Sequence, residues 1–357
     1  MTANPIQQIN RVLLLACAPF LGMLIWLLFA TMDITIPSWS PAAAEPISIH
    51  AETLTMDTML TQANQDAIQT KSIIQQYFQL YEKSTAEVTA MLQVAAAQAV
   101  KPGLIYDTRI TAKLGSPLRQ ASSGNIDIRL FALNEKNYTG YALKVNLKTD
   151  KAVKLVLGND KLGSSETTLS AANRYGAVVG VNAGGFADDS RGRRFPLDTT
   201  VMNGKYVNGF FPTNNDTAFI GLNKDRQLIG GKFSSQSELD KLNPLMGSTF
   251  VPVLLKNGSK LPIPYQWQSS PARAARTVMA NYKNDQLLFL VTDGYDESGN
   301  SGATLAELQD KMQQLGVVDA YNLDGGGSTT LVWGGSVINR PSDGKLRPLA
   351  TNFLFFK

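Results

Sequence analysis

The distribution of glycine and proline constrains this fold most, because it divides the chain into two parts with different local structure. Residues 52–100 contain neither residue type and are rich in Ala, Gln, Leu, Met and Glu, which favour helix. Both types return at Lys101–Gly103, where the sequence reads KPG, and they recur to the end. The pattern predicts one helix over residues 52–100 that this Pro-Gly pair ends, followed by a domain of short elements and many turns.

The predicted helix carries one apolar stripe. Its members recur at three- and four-residue spacing: Ile73, Ile74, Tyr77, Phe78 and Tyr81. The simplest interpretation is a stalk. The stripe could pack either on the domain that follows or on a second copy of the chain, so self-association through this helix is one expectation.

A longer apolar run, Val12–Met32, precedes the stalk and contains no charged residue. A cleaved signal peptide would use AAAEP at residues 42–46, which lies far beyond the apolar core. A lipoprotein signal would use LLAC ending at Cys17, but only five residues separate Arg11 from that cysteine. An uncleaved anchor with Arg11 on the cytoplasmic side is favoured. It predicts an anchor over residues 1–33, a linker over 34–51, and a single-pass cell-membrane protein with the remainder extracytoplasmic.

The domain over residues 101–357 shows a period of two from about Ile126 onward, as in IDIRLFAL, YALKVNL and AVKLVLG. Two stretches read as capped helices, SSETTLSAANRYG and TLAELQDKMQQLG, each ending in glycine. The predicted fold class is α+β: a mixed, largely antiparallel β-sheet domain with flanking helices, preceded by an N-terminal transmembrane helix and a helical stalk.

Composition excludes several functions. The formal charge of +4 forms no basic block, so a nucleic-acid partner is not expected. The single cysteine forms no intramolecular disulfide. The single histidine, His50, precedes the stalk, so the domain has no Ser-His-Asp triad and no histidine-based metal site. No metal or other cofactor is expected; carboxylates alone could hold a divalent cation, but no DxDxDG-like loop is present.

Candidate chemistry lies where strand-like runs end in polar, glycine-rich segments: GVNAGGF, RTVM, LLFLVTDGYDESGNSG and YNLDGGGST. Asp293 and Asp324 both end apolar strands and are the natural acid–base pair, which suggests glycosyl chemistry. Gly325–Gly327 predict a backbone nest for an anion, with Ser328 beside it. Arg276 is placed to clamp that anion.

The ordered segments VNAGGF, FPLDTTVMNGK, FVPVLLKNG, ARTVM, LVTDGYDESGNSG, NLDGGGS and NRPSDGKLRP resemble the phosphodiester glycosidase family over about residues 125–357. That family includes an enzyme that removes N-acetylglucosamine from a sugar phosphodiester, and bacterial exopolysaccharide-associated proteins. The chain departs from the family pattern at Gly185, where an aromatic residue is common, and in TVMAN after Arg276, where a glycine often stands.

The resemblance implies hydrolysis of the sugar C1–O–phosphate bond of a cell-surface or exopolysaccharide glycan, with N-acetylglucosamine-1-phosphodiester as one candidate. It implies catalysis by Asp293 and Asp324, in roles that the sequence does not divide between them. The implied substrate- and phosphate-binding residues are Asn182, Gly184, Arg276, Thr277, Gly294, Asn322, Gly325, Gly326, Gly327, Ser328, Arg340 and Arg347. A non-catalytic protein that binds or assembles a surface polymer is the alternative.

Overall fold

A computed structural model describes residues 49–213, 216–269, 271–294 and 302–357, together with Ala18, Gly22, Met23 and Trp26. The predicted anchor, apart from these four residues, and the predicted linker before Ile49 lie outside the described residues. The chain divides into two units, Met1–Thr89 and Ala90–Lys357.

Helix α1, Ile49–Leu114, confirms the predicted helix but not its end. Pro102 lies inside it, so the prediction that KPG stops the helix is wrong. Proline removes one helical hydrogen bond, and tertiary packing of the following turns offsets that loss. Ile110 is only 3% exposed and lies in a core cluster, and Asp107 forms an ion pair with Lys144 of the sheet.

The described part of α1 is exposed along its apolar stripe: Ile73, Ile74, Tyr77, Phe78 and Tyr81 are 52–71% exposed. Within the described residues, Leu54–Leu114 is the one helix long and apolar enough to cross a membrane, with a mean hydropathy of 1.2 in its 18-residue window. That property rests on length and composition alone. Self-association through the stripe stays a prediction.

The remaining elements are short. The helices are α2 (Thr168–Tyr175), α3 (Gln236–Asp240), α4 (Tyr265–Ser269) and α5 (Leu305–Leu315). The first ten strands are β1 (Pro117–Ser122), β2 (Ile126–Asn134), β3 (Thr139–Leu147), β4 (Val153–Leu157), β5 (Val179–Asn182), β6 (Phe186–Asp188), β7 (Arg194–Pro196), β8 (Val201–Met202), β9 (Lys205–Tyr206) and β10 (Ala218–Asn223). The others are β11 (Leu228–Gly231), β12 (Pro244–Phe250), β13 (Val253–Lys256), β14 (Ser259–Lys260), β15 (Thr277–Asn281), β16 (Leu287–Thr292), β17 (Asp319–Leu323), β18 (Leu331–Trp333), β19 (Ser336–Val337) and β20 (Thr351–Phe355).

The strands form three main sheets, with a separate β6–β7 hairpin. The large sheet has the order β1-β2-β3-β16-β15-β17-β13-β14, and the other two have the orders β11-β10-β12-β8-β9 and β19-β18-β5-β20-β4. Every strand pairing in the described chain is antiparallel. The predicted mixed, largely antiparallel fold class is therefore confirmed.

Both faces of the large sheet are covered. Alternate residues of β16 separate between the two faces: Phe289 joins the cluster shared with the other two sheets, whereas Leu288 and Leu290 join the cluster under α5 and the end of α1. A strand that is buried on both faces has apolar residues at consecutive positions, which explains the sequence LLFLV in β16. The strand ends that emerge from this packed layer are held in fixed positions.

Both predicted capped helices are confirmed. Thr304 and Glu307 form a reciprocal capping box at the start of α5, and Gly316 ends it in the left-handed conformation. Thr167 caps α2 through its side chain, and Gly176 ends that helix in the same way.

Candidate active site

The strands that precede Asp293 and Asp324 flank one shared neighbour. Thr277, the first residue of β15, pairs with Val291 of β16 on one side and with Leu323 of β17 on the other. The two aspartates therefore leave the sheet at the same edge, about two inter-strand spacings or about 10 Å apart. The fold therefore places at one edge the two strand ends that carry the predicted pair of aspartates.

The backbone of Asp324 is fixed by the end of β5. Its N–H donates to the carbonyl of Ala183 at 3.2 Å, and its carbonyl accepts from Asn182 Nδ2 at 2.7 Å. The Oδ1 atom of Asn182 accepts from the Thr277 hydroxyl at 2.7 Å and from the Thr330 N–H at 3.0 Å. Asn182 and Thr277 are fully buried, so in this structure they hold Asp324 in place and do not face a substrate.

The carboxyl group of Asp324 has one unused oxygen. The residue is half-buried, and its Oδ2 atom is shielded from solvent with no hydrogen-bond partner. Burial raises the pKa of Asp324 to about 6, while the Ser328 hydroxyl, the Arg347 charge, the Gly325 N–H and the Arg194 charge oppose that rise. This carboxyl group changes its charge close to neutral pH, which is typical of a reacting group.

Each of the three glycines after Asp324 has its own structural reason. A Cβ atom on Gly325 would lie 3.1 Å from the Ala275 carbonyl oxygen, and one on Gly327 would overlap the side chains of Asp343 and Arg347. Gly326 has φ +63°, in the left-handed region. Close contacts within the protein, with Ala275, Asp343 and Arg347, therefore explain two of these glycines without a ligand.

The predicted anion nest is smaller than the sequence suggested. The Gly326 N–H donates to the Ala275 carbonyl at 2.7 Å, so the prediction that this N–H faces an anion is wrong. The Gly325 and Gly327 N–H groups donate to no backbone carbonyl of the described residues. The Gly325 N–H instead interacts with the Asp324 carboxylate, which leaves the Gly327 N–H as the main free donor.

Two arginines lie near Asp324. Arg347 donates from Nη1 to the Ser328 hydroxyl at 3.3 Å and from Nη2 to Asp343 at 2.5 Å. Arg194 stacks over the Phe186 ring, with 3.9 Å from its guanidinium carbon to the ring centre, and lowers the pKa of Asp324. Arg347 was predicted from the sequence.

Sequence reasoning missed Arg194 together with its partners. Arg194 forms a two-pronged pair with Asp188 across the β6–β7 hairpin, at 2.7 Å for each hydrogen bond. Asp343, which pairs with Arg347, was missed as well. The segment DDSRGRRF carries a hairpin signal between residues of opposite charge, but nothing in it indicates which strand end the hairpin approaches.

Arg276 lies behind Gly325 and not in an open cleft. It is 5% exposed, its Nη2 donates to the Pro271 carbonyl at 2.8 Å, and within the described residues it forms no ion pair. Burial lowers the pKa of Arg276 to about 10, so it remains a cation at neutral pH. Its charge can attract an anion at Gly325, but the predicted two-pronged clamp is not formed here.

Both carboxylate oxygens of Asp293 are already in use. Oδ2 accepts from the Thr139 hydroxyl at 2.7 Å, and Oδ1 accepts from the Arg340 N–H at 2.9 Å. Gly294 packs against the backbone of Ser342, which explains the glycine there. Asp293 and Gly294 therefore hold the NRPSDG segment against the sheet, and the exposed Arg340 contributes its backbone to that contact.

Asn322 and Gly184 lie beside the same strand ends. Asn322 Nδ2 donates to the Val251 carbonyl at 2.6 Å, while its Oδ1 is buried without a partner. A Cβ atom on Gly184 would lie 2.6 Å from Ser248 Cβ, and the Ser248 hydroxyl is also buried without a partner. Close packing explains Gly184, and Asn322 retains one free acceptor.

The part of the chain that the structure describes contains no group of three or more His, Cys, Asp or Glu side chains arranged to hold a metal ion. The sequence expectation of no metal and no cofactor stays an expectation.

The match to a known family lies within the second unit of the chain, Ala90–Lys357. The family described as phosphodiester glycosidase matches residues 175–356. The chain is similar to N-acetylglucosamine-1-phosphodiester alpha-N-acetylglucosaminidase from Bos taurus, with 31% identity over 50% of this chain and 35% of the relative. It is also similar to the Mus musculus protein of that name, with 30% identity over 45% of this chain and 32% of the relative. The chain thus spans about a third of the length of these relatives.

A solved structure agrees with the fold. The zebrafish N-acetylglucosamine-1-phosphodiester alpha-N-acetylglucosaminidase catalytic domain, auto-inhibited by its pro-peptide, is similar with a TM-score of 0.55 and 21% identity, over 68% of this chain and 87% of that one. At this identity the likeness concerns the fold alone. Because the family match spans just over half of the chain and includes both aspartates and the glycine turn, the chain belongs to the phosphodiester glycosidase family.

Proposed function

We propose that this chain hydrolyses the bond between the anomeric carbon of a sugar and a phosphodiester oxygen, with Asp324 as the reacting carboxylate. One observation carries the proposal. Asp324 has a shielded oxygen without a partner and a pKa raised to about 6, at a strand end that lies within the residues matched by the family.

In this reaction the C1–O bond breaks and its electron pair leaves with a phosphate monoester. The oxygen of water joins C1, and the water proton passes to a base or, after a covalent intermediate, to the same carboxylate. A phosphate monoester is a good leaving group and needs little protonation. Asp324 therefore acts in its ionised form, as base or as nucleophile, and the same charge supports the oxocarbenium-like sugar.

Charge on the departing phosphate is stabilised by groups around the glycine turn. Arg347 is one-third exposed and touches Ser328, so it can exchange part of its contact with Asp343 for a phosphate oxygen. The Gly327 N–H and the charges of Arg194 and Arg276 add to the positive potential there. Asp293 is a positioning residue, because it anchors the segment that carries Asp343 and Arg347.

The proposed substrate is a cell-surface or exopolysaccharide glycan, with N-acetylglucosamine-1-phosphodiester as the first candidate because the named relatives act on that group. We propose that residues 12–32 anchor the chain in the cell membrane, with the rest extracytoplasmic. A cysteine-labelling experiment with a membrane-impermeant reagent, on a chain with Cys17→Ser and Lys345→Cys, tests that topology: labelling in intact cells is expected, and labelling only after lysis would contradict it.

The activity is tested with the full chain in detergent and N-acetylglucosamine-1-(methyl phosphate) as substrate. Release of N-acetylglucosamine by the wild type, and its loss in Asp324→Asn, is the expected result. Asp225→Asn is the matched control, since it makes the same chemical change at an exposed residue outside the site, where the carboxylate forms no hydrogen bond or ion pair among the described residues. If neither the wild type nor Asp324→Asn releases sugar while both bind the polymer, the chain is better described as a non-catalytic protein that binds a surface polymer.

A further inference from the structure

A seven-residue repeat runs along the exposed part of α1. Over residues 56–97, six successive heptads place an apolar residue at every a position: Leu60, Ala67, Ile74, Tyr81, Val88 and Ala95. Four of the six d positions are apolar as well: Met56, Ala63, Tyr77 and Met91. The whole range lies in one continuous helix, so these ten residues form a heptad seam along it.

The heptad seam faces solvent, and the opposite face of the helix is polar or small. Leu60, Ile74, Tyr77, Tyr81 and Met91 are 57–72% exposed. The b, c and f positions carry Gln, Thr, Ser, Glu, Lys and Ala, with one large apolar residue, Ile68, among them. An apolar seam about 60 Å long is larger than the patches of a few hundred Å² that monomers expose, which indicates an interface.

The period of the heptad seam selects the shape of its partner. A straight α-helix has 3.6 residues per turn, so a strict seven-residue repeat drifts by about 20° per heptad, or about 120° over six heptads. A flat surface or a straight groove would therefore contact only part of the seam. A second helix that supercoils with α1 stays in contact along its full length.

A lipid bilayer does not fit this part of α1. The uncharged stretch between Glu87 and Lys101 is 13 residues long, whereas a membrane-spanning helix needs about 20 consecutive apolar residues. A helix that lies on a membrane surface carries Lys and Arg on its polar face. The b, c and f positions of residues 56–97 contain a single cation, Lys83.

Charges beside the heptad seam identify the partner helix as a second copy of the chain. Asp66 occupies a g position, and Lys71 occupies the next e position, five residues later. In a parallel, in-register pair of helices, these are the positions that meet across the interface, so Asp66 of each copy faces Lys71 of the other. Among the described residues, neither side chain forms an ion pair within its own chain.

The same charges oppose an antiparallel arrangement. In an antiparallel pair, g positions face g positions. The charged g residues of this range are Asp66 and Glu87, which are both acidic. Asp66 would therefore meet no cation there, whereas the parallel pair gives it one.

We propose that residues 56–97 of α1 form a parallel, in-register coiled coil with a second copy of this chain. The heptad seam supplies the apolar contact, and two Asp66–Lys71 pairs, one on each side, set orientation and register. The inference stands apart from the proposed hydrolysis, because it requires no chemistry at Asp324.

Disulfide formation between copies tests the proposal on the full chain in detergent, in a Cys17→Ser background. Ala67→Cys and Ala95→Cys each place one thiol at an a position, four heptads apart. In the proposed pair each thiol lies beside its own counterpart, within the Cα separation of about 7 Å that a disulfide can bridge. After mild oxidation, a covalent dimer is expected for both variants on a non-reducing gel.

Gln65→Cys and Gln93→Cys are the matched controls, since each lies at the outward-facing f position two residues before a test site. They should form the disulfide at least about tenfold more slowly, because the two helices keep their thiols apart. Equal rates at all four positions, no covalent dimer at either alanine site, or an adduct with a different protein would each overturn the proposal. A dimer at only one of the two alanine sites would overturn it as well, since antiparallel helices cross at one point.

Charge reversal tests the register separately, by sedimentation of the full chain in density-matched detergent. Asp66→Lys and Lys71→Asp should each raise the dissociation constant of the dimer about fivefold or more, and the double variant should restore it to within about twofold. Glu82→Lys, at an outward-facing b position, is the control and should change it less than about twofold. No recovery in the double variant would overturn the parallel, in-register arrangement.

Discussion

Asp293 and Asp324 follow the two buried strands that flank β15, and each precedes a glycine, yet their carboxylates have different hydrogen-bond partners. The Asp293 carboxylate accepts hydrogen bonds on both oxygens, from Thr139 and from the Arg340 backbone. The Asp324 carboxylate keeps Oδ2 free, and burial raises its pKa to about 6. The comparison separates an Asp-Gly that tethers a neighbouring segment, because both of its acceptors are occupied, from one with an unoccupied acceptor, which we propose as the reagent.

Exchange of each aspartate for asparagine gives the largest expected difference. Asp324→Asn should lower kcat about 100- to 10,000-fold, because asparagine neither accepts a proton nor attacks carbon. Asp293→Asn should lower it less than about tenfold, since the amide oxygen still accepts from Arg340 and the Thr139 hydroxyl can reorient. Steady-state kinetics on the methyl phosphate substrate measure both. Equal losses of kcat in Asp324→Asn and Asp293→Asn would contradict the distinction between Asp293 as a tether and Asp324 as the reagent.

Thermal unfolding provides the control for that experiment. The folded-state pKa of Asp324 is raised above its unfolded value, so its contribution to stability is present at low pH and lost as pH rises through about 6. Asparagine does not ionise, so the Asp324→Asn variant does not lose this stability as the pH rises. Its Tm at pH 7 should therefore equal or exceed that of the wild type. Asp293→Ala breaks two hydrogen bonds and should destabilise the fold by about 1–3 kcal/mol.

The glycine turn gives the next largest effect. Gly327→Ala should lower kcat/KM about 10- to 100-fold, because the new methyl group displaces the Asp343–Arg347 pair and weakens charge-assisted contact with phosphate. Gly326→Ala is the matched control: open space surrounds that position, and the cost is strain of about 1–2 kcal/mol at φ +63°. A larger loss of kcat/KM in Gly326→Ala than in Gly327→Ala would show that the backbone conformation of the turn, and not the Asp343–Arg347 pair, determines activity.

The smallest effect expected is a displacement of the pH profile. Activity should rise with pH through about 6 as Asp324 ionises. The Ser328 hydroxyl lowers the pKa of Asp324, so Ser328→Ala should move the midpoint upward by less than about one unit. The dependence of kcat/KM on pH measures this. A profile that falls through this range would assign Asp324 the role of a proton donor.

Much of the fold could be predicted from the sequence because it depends on local patterns of residues. The period of two predicts β2, β3 and β4, the caps predict α2 and α5, and the order of glycine-rich segments predicts the strand ends that meet. These features depend on backbone propensity and on burial, and each is encoded within a few residues.

What was missed depends on contacts distant in sequence. KPG was expected to end α1, but Ile110 and Asp107 pack onto strands that follow later in the chain. Arg194 reaches the site through a hairpin whose destination no local pattern specifies. The same holds for Gly326, whose N–H is taken by Ala275, about 50 residues earlier. Whether a backbone or side-chain group already has a hydrogen-bond partner depends on the assembled fold.

The position of β20 determines when the site can exist during synthesis. Thr351–Phe355 lies between β4 and β5, and β5 leads into the residues that hold Asp324. While those five residues are still inside the ribosome, β5 has an open edge and its contact with the glycine turn is unsupported. The proposed reactivity at Asp324 is therefore expected to appear only after the chain through Phe355 has emerged, so a nascent chain should be inert toward the proposed substrate.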